Sequence, residues 1–292
     1  MQQIAFLASP NYETTLAQCP DFINEFDLFE QEFARLGASL ERVHWRDPSV
    51  DWKRFDRVIP KSCWDYSEHP AEFVAFLNRM RDEQIPFRND LEVVTWNMRK
   101  NYLLDLQARG LKVGELTVVK QGTRLDFEAV KKRFGNGMIV AKPSISAGAR
   151  NTVRCQAPDL SEHRVMFEEV LTRCDVILQP FFPEVVDDGE YSIFFFGGQY
   201  SHALVKKPAA GDYRAHQRFG ARNIRYEPTE REIEQALQFV KAAPRACAYA
   251  RVDVFRRGGD LVLMELELIE PYLYLEQAPK TSATRFCEAI LA

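Results

Sequence analysis

The first third of the chain alternates between two spacings of apolar residues. Short apolar runs predict strands at residues 3–8, 40–45 and 56–60. Phenylalanines recur at every third or fourth position over residues 21–36, which predicts a helix that stops at Gly37, and residues 70–81 repeat this pattern. Strands that alternate with helices indicate a layered α/β lobe.

The rest of the chain changes to extended patterns. One helix is expected over 96–109 and another over 127–134. Later apolar runs with turn signals between them predict a mostly antiparallel sheet, with strands at 138–141, 176–179, 192–196, 201–205, 248–255 and 261–269. The predicted fold class is therefore α/β at the start and α+β overall. Domains are expected at 1–95, 96–175 and 176–292.

Composition narrows the class of protein. Of the 292 residues, 46% are hydrophobic and 27% are charged, which is ordinary for a folded protein. The net charge of -4 gives no general attraction for nucleic acid. No uncharged apolar run approaches the roughly 18 residues that a membrane helix needs, and the first residues lack a signal-peptide pattern. We expect a cytoplasmic protein without nucleic-acid or membrane partners.

Two alternating runs around Gly258 and Gly259 predict a β-hairpin that carries several carboxylates. A loop of three residues, 258–260, would place Asp253 opposite Glu265, and Glu267 would share the face of Glu265. Clustered carboxylates repel one another, and a hard cation such as Mg²⁺ offsets that repulsion. The alternative is a solvent-facing side of the sheet, on which alternating glutamates are common.

An apolar strand that ends at Lys142 precedes a loop of small residues, 144–149, which includes Ser146 and Gly148. Such a loop lets backbone N–H groups approach anionic oxygens, and a lysine supplies a point charge to phosphate. The alternative is a solvated lysine before a turn. The chain lacks both G-x-x-x-x-G-K-[ST] and G-x-G-x-x-G, which excludes a P-loop or a dinucleotide fingerprint.

The segment 179–184 combines Gln179, Phe181 and Phe182 with Glu184. Aromatic side chains on extended backbone can stack on a purine, and a nearby carboxylate can accept from ribose hydroxyls. The alternative is a strand that leaves its sheet at Pro180. The segment 62–66 follows the third strand, where an α/β lobe places its ligand loops, although Trp64 is equally suited to the core.

The order of these residues resembles the nucleotide and metal elements of the ATP-grasp superfamily. The elements are, in sequence, Lys100, Lys142, 179–184, Lys206, Arg214, Asp253, Glu265 and Glu267. The closer resemblance is to glutathione-synthetase-like and RimK-like members, and among them to the O-ureido-serine cyclo-ligases of cycloserine biosynthesis. Three stretches carry it, namely 62–66, 96–103 and 265–271.

The resemblance implies an ATP-grasp fold, with an N-terminal lobe followed by two subdomains that clasp ATP, and a role for each residue. Lys100 and Lys142 would contact phosphate beneath the loop with Ser146 and Gly148. Adenine would be contacted by Gln179, Phe181 and Phe182, ribose would be bound by Glu184, and the nucleotide site would also include Glu190. The transferred phosphate and the acyl group would meet Lys206 and Arg214. The metal ions would be bound by Asp253, Glu265 and Glu267. Glu267 departs from the asparagine usual in the superfamily, and Arg99 replaces the aspartate common before the lysine.

The implied cofactors are ATP and two Mg²⁺ ions, with Mn²⁺ as an alternative metal. The implied reaction activates a carboxylate as an acyl phosphate and couples it to an amine, between two small molecules or within one. A RimK-like ligase of peptide or protein tails and a non-catalytic nucleotide-binding protein stay open as alternatives. Relatives are often dimers, so a homodimer is an alternative to a monomer.

Overall fold

The computed structural model describes residues 1–18, 22–209, 211–212 and 220–292. The chain divides into two compact units. The first joins Met1–Met98 to Glu184–Ala292, and the second is Arg99–Pro183. The described helices include none that is both long enough and apolar enough to cross a membrane.

The first unit begins with a parallel sheet in the order β2-β1-β3. Its strands are β1 (Gln2–Ala8), β2 (Ala38–Val43) and β3 (Arg57–Ser62). The helices beside these strands are α1 (Tyr12–Ala17), α2 (Glu25–Arg35), α3 (Pro70–Asp82) and α4 (Leu91–Asn97). The Asn24 side chain accepts from the Phe26 N–H and thereby begins α2, whose Phe29 and Phe33 are fully buried. The predicted α/β lobe is confirmed.

The second unit is built on an antiparallel sheet in the order β4-β7-β5-β6. Its strands are β4 (Thr117–Val119), β5 (Met138–Pro143), β6 (Val153–Gln156) and β7 (Val176–Pro180), and its helices are α5 (Tyr102–Ala108), α6 (Phe127–Phe134) and α7 (Arg164–Arg173). The division predicted at 175/176 separates β7 from the strands with which it pairs. The three-domain division stays a prediction.

The helix predicted over 96–109 was wrong, because α4 ends at Asn97 and α5 begins at Tyr102. The Lys100 N–H donates to the Ser144 carbonyl at 2.8 Å and not to a helical carbonyl. The Asn101 side chain donates to Asp175 at 2.8 Å. Tertiary hydrogen bonds thus replace the helical ladder where the two units join along the chain.

The first unit continues with an antiparallel sheet in the order β10-β9-β8-β11-β12. Its strands are β8 (Glu190–Phe196), β9 (Gln199–Lys207), β10 (Arg222–Tyr226), β11 (Tyr249–Arg257) and β12 (Asp260–Glu267), and its helices are α8 (Glu184–Asp187), α9 (Glu230–Lys241) and α10 (Ser282–Leu291). Phe194 and Phe286 belong to the same buried cluster as Phe6 and Phe29. The parallel and antiparallel sheets of this unit therefore share a core.

Candidate active site

The β11–β12 hairpin places Asp253 opposite Glu265, as predicted, but by a different route. Gly258 and Gly259, with φ of +59° and +82°, form a two-residue turn. Val254 pairs with Leu263 and Asp253 with Glu265, so Met264 is an extra residue that bulges from β12. The bulge shifts the register by one residue and so produces the predicted pairing.

Cross-strand pairing brings the polar side chains onto one face of the antiparallel sheet. Ser192 on β8 lies opposite Asp253, and Glu190 lies opposite Lys206 on β9. Arg251 lies opposite Glu267 on β12. Because directly paired residues share a face and residues two apart repeat it, this face presents two cations among four carboxylates. The seven residues are Glu190, Ser192, Lys206, Arg251, Asp253, Glu265 and Glu267.

Arg251 binds two of these acids. Its Nε donates to Asp253 Oδ2 at 3.0 Å and its Nη2 to the same oxygen at 2.9 Å. Nη2 also donates to Glu267 Oε1. Arg251 was not among the site residues predicted from the sequence, although its alternation with Asp253 on β11 is a signal that could have included it.

Lys206 joins β9 to the same network. Its ammonium donates to Glu190 Oε1 at 2.8 Å and to Asp253 Oδ1 at 3.2 Å. The Ser192 hydroxyl also donates to Asp253 Oδ1. Both Asp253 oxygens therefore accept hydrogen bonds, and the side chain is almost completely buried.

Burial and charge act in opposite directions on these acids. Burial raises the pKa of Asp253, but the charges of Arg251 and Lys206 outweigh it and hold the pKa at about 2. Burial raises the pKa of Glu267 to about 8, against the attraction of Arg251 and with the repulsion of Glu265 and Asp253. Burial also raises the pKa of Glu190. A bound cation would oppose this effect, because its charge favours the ionised form of these carboxyl groups.

The fit to a divalent cation is partial. Within the described ranges, no three His, Cys, Asp or Glu side chains form a group able to hold a metal ion. Arg251 and Lys206 bind Asp253, and Arg251 also binds Glu267. Glu265 and Glu267 lie half-buried on the same face of β12. Mg²⁺ is usually held by one or two carboxylates together with substrate phosphates, and these two glutamates can supply the carboxylates.

Glu184 begins α8 and accepts from Arg257 Nε at 2.6 Å. That hydrogen bond lowers the pKa of Glu184. Its second oxygen, Oε2, is buried and has no hydrogen-bond partner among the described residues. An acceptor with unused capacity is the group that a hydroxyl donor such as ribose requires.

The second unit places its predicted nucleotide residues on one sheet. Lys142 pairs with Ile177, and Gln179 pairs with Val140, so Lys142 and Gln179 lie on the same face. The Lys100 ammonium donates to the Ser146 carbonyl at 2.9 Å. This contact connects Lys100 to the small-residue loop, in which Gly148 has a φ of +59° that suits glycine.

Phe181 and Phe182 follow β7 with different exposures. The Phe181 N–H donates to the Met138 carbonyl at 2.9 Å, and the guanidinium of Arg154 lies 4.9 Å from the centre of its ring. Phe182 is buried. Phe181 is thus the more accessible of the two rings for stacking.

Two other predictions concern Arg214 and the segment 62–66. Arg214 lies outside the described residues. In the segment 62–66, Trp64 stacks on Tyr12 at 5.7 Å between ring centres, and Asp65 accepts from Trp45 Nε1 at 3.1 Å. Trp64 is half-buried, so both its packing and its substrate interpretation stay open.

Comparisons with known proteins agree with this architecture. The family model described as the N-terminal domain of D-cycloserine synthetase DcsG matches residues 4–89. The cycloserine biosynthesis protein DcsG of Streptomyces lavendulae is 30% identical over 278 residues, which cover 87% of this chain and 89% of that protein. A crystal structure of D-cycloserine synthetase DcsG matches with a TM-score of 0.84 and 27% identity, covering 98% of each chain.

A more distant structure shows the same fold. It is the D-alanine–D-alanine ligase of Bacillus anthracis complexed with ATP, with a TM-score of 0.67 and 14% identity over 100% of this chain and 96% of that chain. The shared fold is the ATP-grasp fold, and the homology to DcsG makes this protein an ATP-grasp ligase. Within that class, the chain belongs to the family of the cycloserine biosynthesis protein DcsG. The predicted fold class and resemblance are confirmed.

Proposed function

We propose that the protein uses ATP to couple a carboxylate to an amine in an amino acid or another small metabolite. A carboxylate oxygen attacks the γ-phosphorus of ATP, the bond to ADP breaks, and an acyl phosphate forms. The amine nitrogen then attacks the acyl carbon and loses a proton, and phosphate leaves. The products are an amide-type bond, ADP and phosphate.

The observation that carries the proposal is the pair of cations, Arg251 and Lys206, on the carboxylate-rich face of the antiparallel sheet. Negative charge develops on the transferred phosphoryl group and then on the tetrahedral acyl oxygen. Fixed cations in a poorly solvated site stabilise such charge more than water does, because they need little reorganisation. Asp253 holds both cations in place.

Each unit supplies its own share of the proposed contacts. In the second unit, Lys100 and Lys142 contact phosphate, while Gln179 and Phe181 contact adenine. In the first unit, Glu184 accepts from ribose, and Arg214 is proposed to meet the acyl group. The remaining predicted residues support these contacts. Ser146 and Gly148 do so from the small-residue loop, Phe182 from the end of β7, and Glu190 through its ion pair with Lys206.

Glu265 and Glu267 are the proposed Mg²⁺ ligands, with Asp253 beside them. When bound, Mg²⁺ would neutralise phosphate charge and orient the γ-phosphoryl group. The repulsion that contributes to the raised pKa of Glu267 supports this assignment. Glu267 adds a charge that a neutral amide would lack.

The family supports a small substrate derived from an amino acid. DcsG is described as a D-cycloserine synthetase, and cycloserine is a ring, so coupling within one molecule is the version of the reaction we favour. This version needs only one organic substrate. It predicts a product that is lighter than that substrate by one water.

The proposal is tested by ADP and phosphate release from purified protein with Mg-ATP and a panel of amino acids, ureido and aminooxy amino acids, and dipeptides, with mass spectrometry of the products. ADP release that depends on a single organic substrate, with a product lighter than that substrate by one water, supports ring closure. A requirement for two small molecules supports intermolecular coupling, and turnover only with peptides would favour a peptide ligase. No substrate-dependent ADP release across the panel would contradict the small-molecule proposal.

A further inference from the structure

A buried ion pair in the first unit holds the backbone that follows β12. The Lys61 ammonium on β3 donates to Glu25 Oε2 at 2.6 Å, and the two side chains are 1% and 3% exposed. Lys61 also donates to the Pro271 carbonyl. Glu25 Oε1 accepts from the Leu273 N–H at 2.7 Å. The pair therefore binds both ends of the segment 271–273.

Two further side chains hold the carbonyls that remain in this segment. Arg251 Nη1 donates to the Tyr272 carbonyl at 3.3 Å. His202 Nε2 lies 2.8 Å from the Leu273 carbonyl, to which it donates as the neutral imidazole. Each of the three successive carbonyls thus accepts from a buried side chain, and the middle one contacts the proposed catalytic arginine.

Stability alone gives little reason for an ion pair at this place. Removing two charges from water costs several kcal/mol per ion, and well-packed apolar residues often replace a buried ion pair without loss of stability. The Lys61–Glu25 pair instead has a specific geometry, because each partner uses a remaining hydrogen bond on the same short backbone segment. Its partners lie on β3 and at the start of α2, outside the sheet that carries Arg251.

We propose that Lys61 and Glu25 are positioning residues for Arg251. By fixing Pro271 and Leu273, they set the location of the Tyr272 carbonyl, which holds one end of the Arg251 guanidinium while Asp253 and Glu267 hold the other. This inference rests on the proposed function, in which Arg251 acts on the reacting groups. It connects the N-terminal parallel sheet to the chemistry by a backbone contact and not by a contact with substrate.

Tyr274 provides a second link. It has a φ of +52°, which is uncommon for a residue with a side chain, and its ring centre lies 5.8 Å from the Lys206 ammonium. Leu273, which Glu25 and His202 bind from either side, directly precedes it. Release of Leu273 is therefore expected to disturb the surroundings of Lys206 as well as those of Arg251.

The test uses the double variant E25Q/K61M, which removes both charges and leaves no buried ion unpaired. The E25Q change would keep a side-chain oxygen for the Leu273 N–H, whereas the donor to Pro271 is lost. We expect folded protein whose kcat falls by about tenfold to a hundredfold, with the KM for ATP changed less than about twofold, because a small misplacement of a catalytic group affects the transition state most. The control is Phe239→Leu, a buried change on α9 outside the segment.

A second readout separates this inference from the proposed function. The Arg251 Nε–H, which donates to Asp253, is followed by ¹⁵N NMR with selectively labelled arginine and assigned with R251K. We expect its signal to be sharp and protected in the wild type and in Phe239→Leu, and broadened or rapidly exchanging in E25Q/K61M. An unchanged signal would overturn the inference even if no ligase substrate is found, and a kcat equal to that of Phe239→Leu would overturn it once turnover is measured.

Discussion

The guanidinium of Arg251 and the carboxylate of Asp253, two residues apart on β11, form a buried pair in which Nε and Nη2 lie 3.0 and 2.9 Å from Oδ2. Such a planar arrangement orients both groups, because arginine presents its donors in a rigid fork. Arg251 thereby reaches Glu267 and Asp253 at once. This relationship organises the candidate site.

Arg251→Lys is expected to reduce kcat by about a hundredfold, because lysine keeps the charge but loses the fork that fixes its direction. The KM for ATP should change much less. Steady-state ADP release gives both constants. Arg245→Lys, on the surface beside Glu92, is the matched control and should resemble the wild type. Equal kcat values in the two variants would remove Arg251 from the proposed chemistry.

Glu265→Gln should raise the Mg²⁺ concentration required for half-maximal activity by at least about tenfold, because a neutral amide attracts a hard cation less than a carboxylate does. The measurement is a Mg²⁺ titration at saturating ATP. Glu234→Gln, an exposed change of the same kind on α9, serves as the control. A Mg²⁺ requirement that is the same in both variants would contradict the assignment of Glu265 as a metal ligand.

Lys100→Met should weaken ATP binding by about tenfold or more. The change removes a cation that we assign to phosphate, and it also removes the hydrogen bond to the Ser146 carbonyl that connects the loop to this position. Calorimetry with a non-hydrolysable ATP analogue measures the affinity. Lys131→Met, at an exposed position of α6, is the control, and affinity that is undiminished in Lys100→Met would contradict the phosphate assignment.

His202 makes the stability of the first unit depend on pH. Burial lowers its pKa to about 4 from an ordinary 6.5, so the folded chain keeps this imidazole neutral. Its contribution is fully present above pH 6.5 and is lost progressively as the pH falls from 6.5 to about 4. The difference corresponds to on the order of 3 kcal/mol.

The measurement is the free energy of unfolding in urea at pH 7.5 and pH 5. The wild type should lose more stability between these values than His202→Gln, whose side chain carries no ionisable group. His163→Gln, which changes a histidine of the second unit, should lose as much stability between these pH values as the wild type does. An identical loss in wild type and His202→Gln would show that His202 is not the cause.

The sequence predicted most of what depends on local pattern. Alternation around Gly258 and Gly259 was sufficient for the hairpin, and helical spacing was sufficient for α2 and α3, since one buried face imposes each period. The pairing of Asp253 with Glu265 was correct although the turn was shorter than expected. The bulge at Met264 was not predicted, although the buried Leu263 and Leu266 on either side of it are three residues apart, where strict alternation would make them two apart.

Features that depend on distant contacts were missed. The break between α4 and α5 results from hydrogen bonds to Ser144 and Asp175. The spacing of apolar residues does not predict these hydrogen bonds. The contact of Lys206 with Asp253 depends on strand order, in which β8 lies between β9 and β11. The Lys61–Glu25 pair joins two residues far apart in sequence, so neither charge stood out among ordinary surface residues.

Formation of an acyl phosphate is the central claim, and oxygen transfer tests it most directly. A substrate whose carboxylate carries ¹⁸O is incubated with the protein and Mg-ATP, and the released phosphate is analysed by mass spectrometry. We predict one ¹⁸O atom in phosphate per turnover, together with ADP, because the carboxylate oxygen stays on phosphorus when the amine displaces it. Phosphate without the label, or release of AMP and pyrophosphate, would contradict the claim.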